Sequence, residues 1–449
     1  MRKDTQRLRG LTISGDGKGQ VGHAGGVHLQ LLAERMGLPD ALSGAMARKG
    51  FVPGHPRGRV LTDLACALVL GATSMRDIRL LEHQRPVLGD TASVSTVSRT
   101  LGEIDELQLR RIARARAEVR RRVWTHLADR DQGFPWITVD GQALQGWTVL
   151  DSDATVVPAP SEKEGAAGTY KKGVYGHCPL LAYCDNTGEM LAQELRPGDA
   201  GANDTADNIA IFEAAVAGLP WQYRKKILFR TDGAGFSHGL LAWIADAGGR
   251  SSPSFTWEYS VGWAFTEREQ AAVELLDRQG LWEAATGPDG EAREDAFVAD
   301  ITGLLGNLTG WPPHHKVIVR KEPLHPRYVK DASDYEKKHN KRYQTFATNT
   351  RRRQPAWLDC RHRSHARVEL GIRDSKAGGL GLFPSQELKV NQAWLLAVAL
   401  ATDLRAWLQL LALEGELARA TPKTLRYRFL HVPAVLVHGQ RRRRLKILY

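Results

Sequence analysis

The sequence predicts a mixed α/β chain in which helices cover a central sheet, preceded by a helical N-terminal region. Three observations predict it. Apolar residues recur at three-and-four spacing through residues 27–130. From residue 135 strand-like runs take over. Between 135 and 265 the elements follow the order strand, two-strand hairpin, helix, strand, helix, strand, the pattern of a layered α/β arrangement.

Residues 1–26 are polar and Gly-rich and read as a flexible lead-in. "VHLQLLAERMGL", "VLTDLACALVLGAT" and "MRDIRLLEHQ" follow as helices. "TASVSTVSRTLGEI", 91–104, starts with small polar residues and turns helical; it fits the second helix of a helix-turn-helix or an ordinary bundle helix. "LRRIARARAEVRRRVW", 109–124, is a helix with far more Arg than Glu, which favours phosphate contacts over a merely solvated face. "PWITVDG" and "WTVLDSDATVV" read as strands. In "PLLAYCDNTGEMLAQELRPG", 179–198, Asp185-Asn186-Thr187-Gly188 joins two strands in a hairpin. "NDTADNIAIFEAAVAGLP", 203–220, has a helix start and a Gly-Leu-Pro stop. "ILFRTD" is a strand, "FSHGLLAWIADAGG" a helix and "SFTWEYSVGWAF", 254–265, a strand.

Residues 266–355 look less regular and read as an insertion with further strands, such as "HHKVIVRKE", 314–322. "RHRSHARVELGIRDSK", 361–376, is read as helical, followed by a Gly-rich loop and "AWLLAVALATDLRAWLQLLAL", 393–413. Asp403 and Arg405 interrupt that apolar run, so a buried helix is expected in place of a membrane span. The implied divisions are 1–130, 131–265, 266–355, 356–415 and a basic tail, 416–449.

The balance of 62 Lys+Arg against 50 Asp+Glu gives a net charge of +12 and suggests a polyanionic partner, most simply nucleic acid. Cys66, Cys178, Cys184 and Cys360 are scattered without a CxxC pair, which supports neither a zinc ribbon nor a disulfide framework and suits a reducing interior. The first 19 residues hold no apolar stretch of signal-peptide type.

The chemistry points to carboxylates. "ILFRTD" carries Asp232 to the end of a strand, and "WTVLDSDATVV" offers Asp151 or Asp153 as its partner, both on one side of a strand. Glu369 lies in a helix among Arg367, Arg373 and Lys376; its bland reading is an ion pair with Arg373 one turn on. Three carboxylates on strand, strand and helix suit two divalent cations, Mg²⁺ or Mn²⁺, of the kind that serve phosphodiester transfer.

Other features are weaker. His314-His315 and His362/His365 lack a second ligand pair at zinc spacing. "GAAGTYKKGVYG", 165–176, lacks the Gly-Lys-Ser/Thr end of a nucleotide-binding loop; its Lys171 and Lys172 either touch DNA or sit on a mobile surface loop. Trp257 and Trp263 stack on an unpaired base or, the better reading, pack in the core. Arg441, Arg442, Arg443 and Arg444 are a clamp on DNA or a solvated tail.

With those residues in view, the sequence resembles DDE transposases with a ribonuclease-H-like core, most of all the IS1380 family of bacterial insertion sequences, related to the IS4 group. "VLDSDATVV", "LFRTDGAGF", "YSVGW", "FATN", "RVELGIRDSKAGGLGLFPS" and "NQAWLLAVALATDLRAWL" carry the resemblance over about residues 135–449. It implies Asp153, Asp232 and Glu369 as metal-holding catalytic acids, with Asp153 preferred to Asp151 because a threonine, Thr155, follows it at the family's distance. The IS4 group's Tyr-x2-Arg-x3-Glu-x6-Lys signature reads here His362-x2-His365-x3-Glu369-x6-Lys376. His365 thus replaces a phosphate-gripping Arg, which leaves Arg363, Arg367 or Arg373 to supply that grip; Lys376 contacts phosphate. The resemblance further implies a β-rich insertion ahead of the glutamate helix and end recognition by the helical N-terminal region. It also implies strand cleavage at terminal inverted repeats, joining through the freed 3′-hydroxyl, a homodimer holding two ends, and a cytoplasmic, nucleoid-associated bacterial protein. A nuclease that cuts without joining, or a silent DNA-binding regulator, are the alternatives.

Overall fold

The computed structural model describes residues 18–82, 84–201, 204–233, 235, 237–250, 254–439 and 442–447; most of the expected lead-in and Arg441 lie outside them. Helices α1 (Gly26–Arg35), α2 (Leu38–Met46), α3 (Arg57–Val69), α4 (Val94–Gly102) and α5 (Glu106–Ala128) make up most of the N-terminal third. The start of α5 is set by Asp105, whose carboxylate accepts from the backbone N–H of Leu107 at 2.8 Å, satisfying a donor the first turn leaves over.

A nine-stranded mixed sheet follows. In chain order its strands are β1 (Thr148–Ala154), β2 (Leu180–Cys184), β3 (Met190–Glu194), β4 (Lys226–Thr231), β5 (Thr256–Trp263), β6 (Glu283–Thr286), β7 (Ala292–Asp300), β8 (Lys316–Pro323) and β9 (Lys341–Thr348). Their spatial order is β6-β7-β8-β9-β5-β4-β1-β2-β3. β4 runs parallel to both β1 and β5, with Arg230 beside Asp151 in register. The other pairings are antiparallel. Helices α6 (Thr205–Ala217) and α7 (His238–Ala245) make the crossovers from β3 to β4 and from β4 to β5.

Strand alternation sorts the two faces of the sheet centre. Leu150, Ile227 and Phe229 point to the main core, where the Phe229 ring meets Phe212 of α6 at 4.9 Å. Val149 and Leu228 point the other way, against Cys360. Asp151, Asp153 and Arg230 share that second face, because they lie two or four positions further along the same strands.

Residues 266–355 are more regular than expected. Helix α8 (Glu267–Gln279) comes first, and β6–β9 then extend the central sheet, β9 pairing directly with β5. The helix expected over 361–376 is broken. α9 (Pro355–Arg363) and α10 (Arg367–Ser375) are separated by a tight turn at Ser364–Ala366. The cause is visible: the Arg230 guanidinium binds the Arg361 carbonyl at 3.2 Å and the Ser364 hydroxyl, taking an acceptor the helix would otherwise use.

The apolar run becomes α11 (Leu388–Ala412), a helix long and apolar enough to cross a membrane by length and composition, yet largely buried here. Each fully buried leucine, such as Leu400 or Leu404, contributes about 1.5–3 kcal/mol. Its Asp403 narrows the reading of the basic helix. Arg116 and Arg120 of α5 turn inward and bind Asp403 at 2.8 and 3.0 Å, so two arginines of that run serve the core and are not available to phosphate. Glu189 completes the cluster, accepting from Arg120, Trp124 and Trp407 at 2.6–2.8 Å.

Candidate functional site

β1 and β4 end side by side, and Asp232 is the first residue past β4. The backbone N–H of Gly235 donates to its Oδ1 at 3.0 Å, closing the chain into a turn that holds the carboxylate at the strand end. Asp153, near the end of β1, lines a pocket of about 220 Å³ together with Asp232, Tyr170 and Asn208. Asp232 also opens onto a larger cleft of about 860 Å³ lined by Glu369, His365, Arg363 and Trp263. Asp232 thus belongs to both spaces.

Glu369 projects from α10, which is fastened to the sheet beneath it. The Tyr183 hydroxyl lies 2.9 Å from Ser375 Oγ, and a Cβ on Gly371 would come within 3.3 Å of the Tyr183 ring. Val368 and Ile372 are buried on that side, which leaves Glu369 exposed. The bland alternative, an ion pair of Glu369 with Arg373, is not formed among the described residues; Arg373 pairs with Asp374 at 3.2 Å.

Asp151 and Asp153 differ sharply in what they do. Asp151 is buried in a two-pronged pair with Arg230, both bonds 2.7 Å, and meets His365 Nδ1 at 2.8 Å. Burial alone would raise its pKa, but Arg230 and His365 outweigh it and hold Asp151 below the usual carboxylate value. Asp153 makes no such ion pair among the described residues. Burial, then the neighbouring charges of Asp232 and Glu369, push its pKa up to about 6, against the opposing pull of His365. The fields of all three acids therefore meet at Asp153.

The basic residues divide likewise. Lys376 donates to the Val156 carbonyl at 3.0 Å, just beyond β1, and burial and then Lys171 lower its pKa. Lys171 and Lys172 are exposed on the loop beside it. Arg367 is half exposed and reaches Asp185 at 3.3 Å. Arg363 is tied to Asp359 at 2.8 Å and to the Thr286 carbonyl. His362 is held in the interior, stacked on Phe346 at 4.3 Å and 2.9 Å from Ser260 Oγ. Trp257 packs in the core against Phe229, whereas Trp263 stands half-buried at the cleft, 4.8 Å from Trp311.

Sequence reasoning passed over Arg230 and gave Asp185 only a turn role. Arg230 is fully buried, and its guanidinium joins Asp151 to Asp185, the latter at 2.6 Å. The one available signal was an arginine inside the apolar strand "ILFRT".

Among the described residues no group of three or more His, Cys, Asp or Glu side chains is gathered tightly enough to enclose a metal ion. The donor chemistry nevertheless fits a hard divalent cation. Asp153, Asp232 and Glu369 offer carboxylate oxygens, and the repulsion that raises Asp153 is what such a cation relieves.

The model of the family described as transposase DDE domain group 1 matches residues 3–448. The chain belongs to that family. It is a transposase enzyme, of the DDE class. No curated protein matches the transposase. Among solved structures it is similar to the piggyBac transposase in a cryo-EM structure of the synaptic complex with hairpin DNA. That likeness has 9% identity and a TM-score of 0.40, and covers 85% of this chain and 73% of the other.

Two outcomes are expected of the transposase from this geometry. The first concerns Gly262 on β5, where an added Cβ would lie 2.3 Å from the Gly233 backbone nitrogen and 3.0 Å from the Asp232 carbonyl carbon. Gly262→Ala must displace the backbone that carries Asp232 at the cleft, and a misplacement of about 1 Å caused by a mutation costs on the order of 100-fold in rate. Cleavage assayed beside DNA binding checks this: the rate falls and binding stays.

The second concerns pH. Asp153 titrates at about 6 in the fold, above its unfolded value near 3.9, so the native state holds that proton more tightly. The metal-free protein therefore loses stability as pH rises from about 4 to about 6, by roughly 2 kcal/mol, and the loss is complete above. Asp153→Asn escapes it. In urea titrations of the metal-free protein the variant gains on wild type across that window.

Proposed function

We propose that this transposase cuts DNA at the ends of the element that encodes it and joins those ends to new DNA, with Asp153, Asp232 and Glu369 as its catalytic and metal-holding acids. The observation that carries the reading is the placement of the acids: Asp153 and Asp232 line one pocket, Asp232 and Glu369 line one cleft, and Asp151 is spent on Arg230.

β3-β2-β1-β4-β5, with β4 parallel to its two neighbours, is the order of a ribonuclease-H-like core, and it sets Asp153 and Asp232 on adjacent strand ends. Glu369 faces them from α10. Mg²⁺ or Mn²⁺, two ions in the expected case, would be held by these three residues and would supply Lewis-acid activation of the attacking oxygen and charge neutralisation at the leaving one. The chain's own cations position the substrate. Lys376, at the β1 end, and the exposed Lys171, Lys172, Arg367 and Arg373 attract backbone phosphates toward the acids. His365 is turned to Asp151, so it orients the strand end and does not grip phosphate. Arg363, bound to Asp359, braces α9. Trp263 walls the cleft beside Asp232.

In this reading the helical N-terminal region recognises the terminal inverted repeats. Two protomers hold two ends together, and a freed 3′-hydroxyl attacks the opposite strand or target DNA. An insertion sequence of the IS1380 kind in a bacterial host fits this activity. The test is a strand-transfer assay with a labelled end-bearing duplex, a plasmid target and Mg²⁺. Joined product supports the proposal. Cleavage without joined product would make the protein a nuclease, and binding without cleavage a regulator.

A further inference from the structure

The tail folds as a hairpin. Strands β10 (Ala434–Gly439) and β11 (Arg442–Ile447) pair antiparallel, with Leu436 opposite Leu445 and Val437 opposite Arg444, and β10 pairs on its other side with Gln20–Val21. Alternation again separates two faces. Ala434, Leu436 and Leu445 pack with Val21, Ala24 and Val87 in a small apolar cluster, so the inner face is anchored. Arg443, on that same side, donates to the Pro86 carbonyl. The outer face of β11 carries Arg442, Arg444 and Lys446, all exposed, at every second residue, or roughly 7 Å apart.

Among the described residues no carboxylate pairs with this row. From Thr421 to Tyr449 the chain contains no Asp or Glu. Among the described residues the one ion pair made by this segment joins Arg428 to Glu416, at 2.6 Å. Three like charges held in line on an anchored sheet face repel one another, and they are complementary to a polyanion of regular charge spacing. Beside the hairpin, Lys423, Arg426, Tyr427 and His431 line an open cleft of about 640 Å³, with the Tyr427 ring 85% exposed. The segment is also mounted on the acid-bearing region. Arg426 donates to the Ala377 carbonyl at 3.2 Å, one residue beyond Lys376. His431 Nε2 lies 2.9 Å from the Leu70 carbonyl of the N-terminal helices.

We infer that the outer face of the C-terminal hairpin, with Arg442, Arg444 and Lys446 as its contacts and the Tyr427 cleft at its side, is a second DNA-binding surface that grips the phosphate backbone of a duplex without reading its sequence. This rests on the proposed action on DNA and goes beyond it by placing a grip outside the acid site. Arg and Lys in this row meet phosphates as charges, which positions a duplex without reading its bases.

The test uses the full chain and fluorescence anisotropy at several KCl concentrations, with one duplex carrying the element end and one of scrambled sequence. The variant Arg442→Gln/Arg444→Gln/Lys446→Gln is compared with wild type and with Arg442→Lys/Arg444→Lys. The charge-removing variant is expected to bind both duplexes about 10- to 100-fold more weakly, with a log–log salt slope shallower by about 2–3. The charge-keeping variant retains most of the binding, and both variants melt like wild type. Equal affinity and slope in the charge-removing variant overturn the proposal. If that variant instead self-associates on size exclusion while binding DNA normally, the row is edge protection for β11 and the proposal falls. A wild type that binds neither duplex sinks the transposition reading itself. A wild type that binds while Asp232→Asn binds without cutting leaves that reading intact whatever the hairpin does.

Discussion

Asp232→Asn and Glu369→Gln should each abolish cleavage while leaving DNA binding and folding in place. Both changes keep the side chain's size and remove its charge. Asp232 sits at a strand end where its turn accepts a backbone hydrogen bond that an asparagine oxygen also accepts, so the local chain survives. Glu369 is exposed on α10 and its removal uncovers no buried partner. What is lost is anionic oxygen facing Asp153. Electrostatic stabilisation of a phosphodiester transition state by a held cation is worth several kcal/mol, so the expected loss is about 1,000-fold or more in single-turnover rate. Gel quantification of cleaved end duplex, beside anisotropy for binding, measures both. Loss of binding in parallel with cleavage would place these residues in DNA recognition instead.

Arg230→Met should unfold much of the protein, because it strands two buried acids. Asp151 and Asp185 are 1% and 4% exposed and share this guanidinium, which also fixes the Arg361 carbonyl at the break before α10. Removing one partner of a buried ion pair costs about 3–5 kcal/mol, since the remaining charge stays desolvated. Asp151→Asn added to Arg230→Met should recover part of that loss, and a double-mutant cycle in urea gives the coupling. Asp151→Asn alone should weaken the fold yet leave cleavage per folded molecule near that of wild type. In this it differs from Asp153→Asn, which should remove cleavage and spare stability. Additive losses in the cycle would contradict the shared network.

The local patterns of the fold were legible in the sequence. "WTVLDSDATVV", "ILFRTD" and the hairpin at Asp185–Gly188 announce their strands by apolar content and turn residues, and the structure has them in the expected order. The long-range pairings were not legible. Arg230 reads as an interruption of an apolar strand until its acids, 79 and 45 positions away, are brought to it. Arg116 and Arg120 read as a basic surface because Asp403 lies more than 280 positions on. The break at Ser364 comes from Arg230, so helical periodicity over 361–376 cannot reveal it. Residues 266–355 looked irregular because each of their strands is completed by neighbours along the sheet edge and shows little alternation of its own. For the site, spacing alone placed Asp151 and Asp153 on one strand face and could go no further. The two diverge through what each one meets across the sheet, which is a matter of packing.

The central claim is that Asp153, Asp232 and Glu369 together hold the divalent cations. Mn²⁺ binding to the full-length protein with its end duplex, followed by electron paramagnetic resonance at pH 7.5 or thereabouts, tests it most directly, above the pH at which Asp153 gives up its proton. Wild type and Asp151→Asn are predicted to take up Mn²⁺ with similar affinity, while Asp153→Asn, Asp232→Asn and Glu369→Gln each bind it far more weakly. Undiminished Mn²⁺ binding in those three variants would contradict the account.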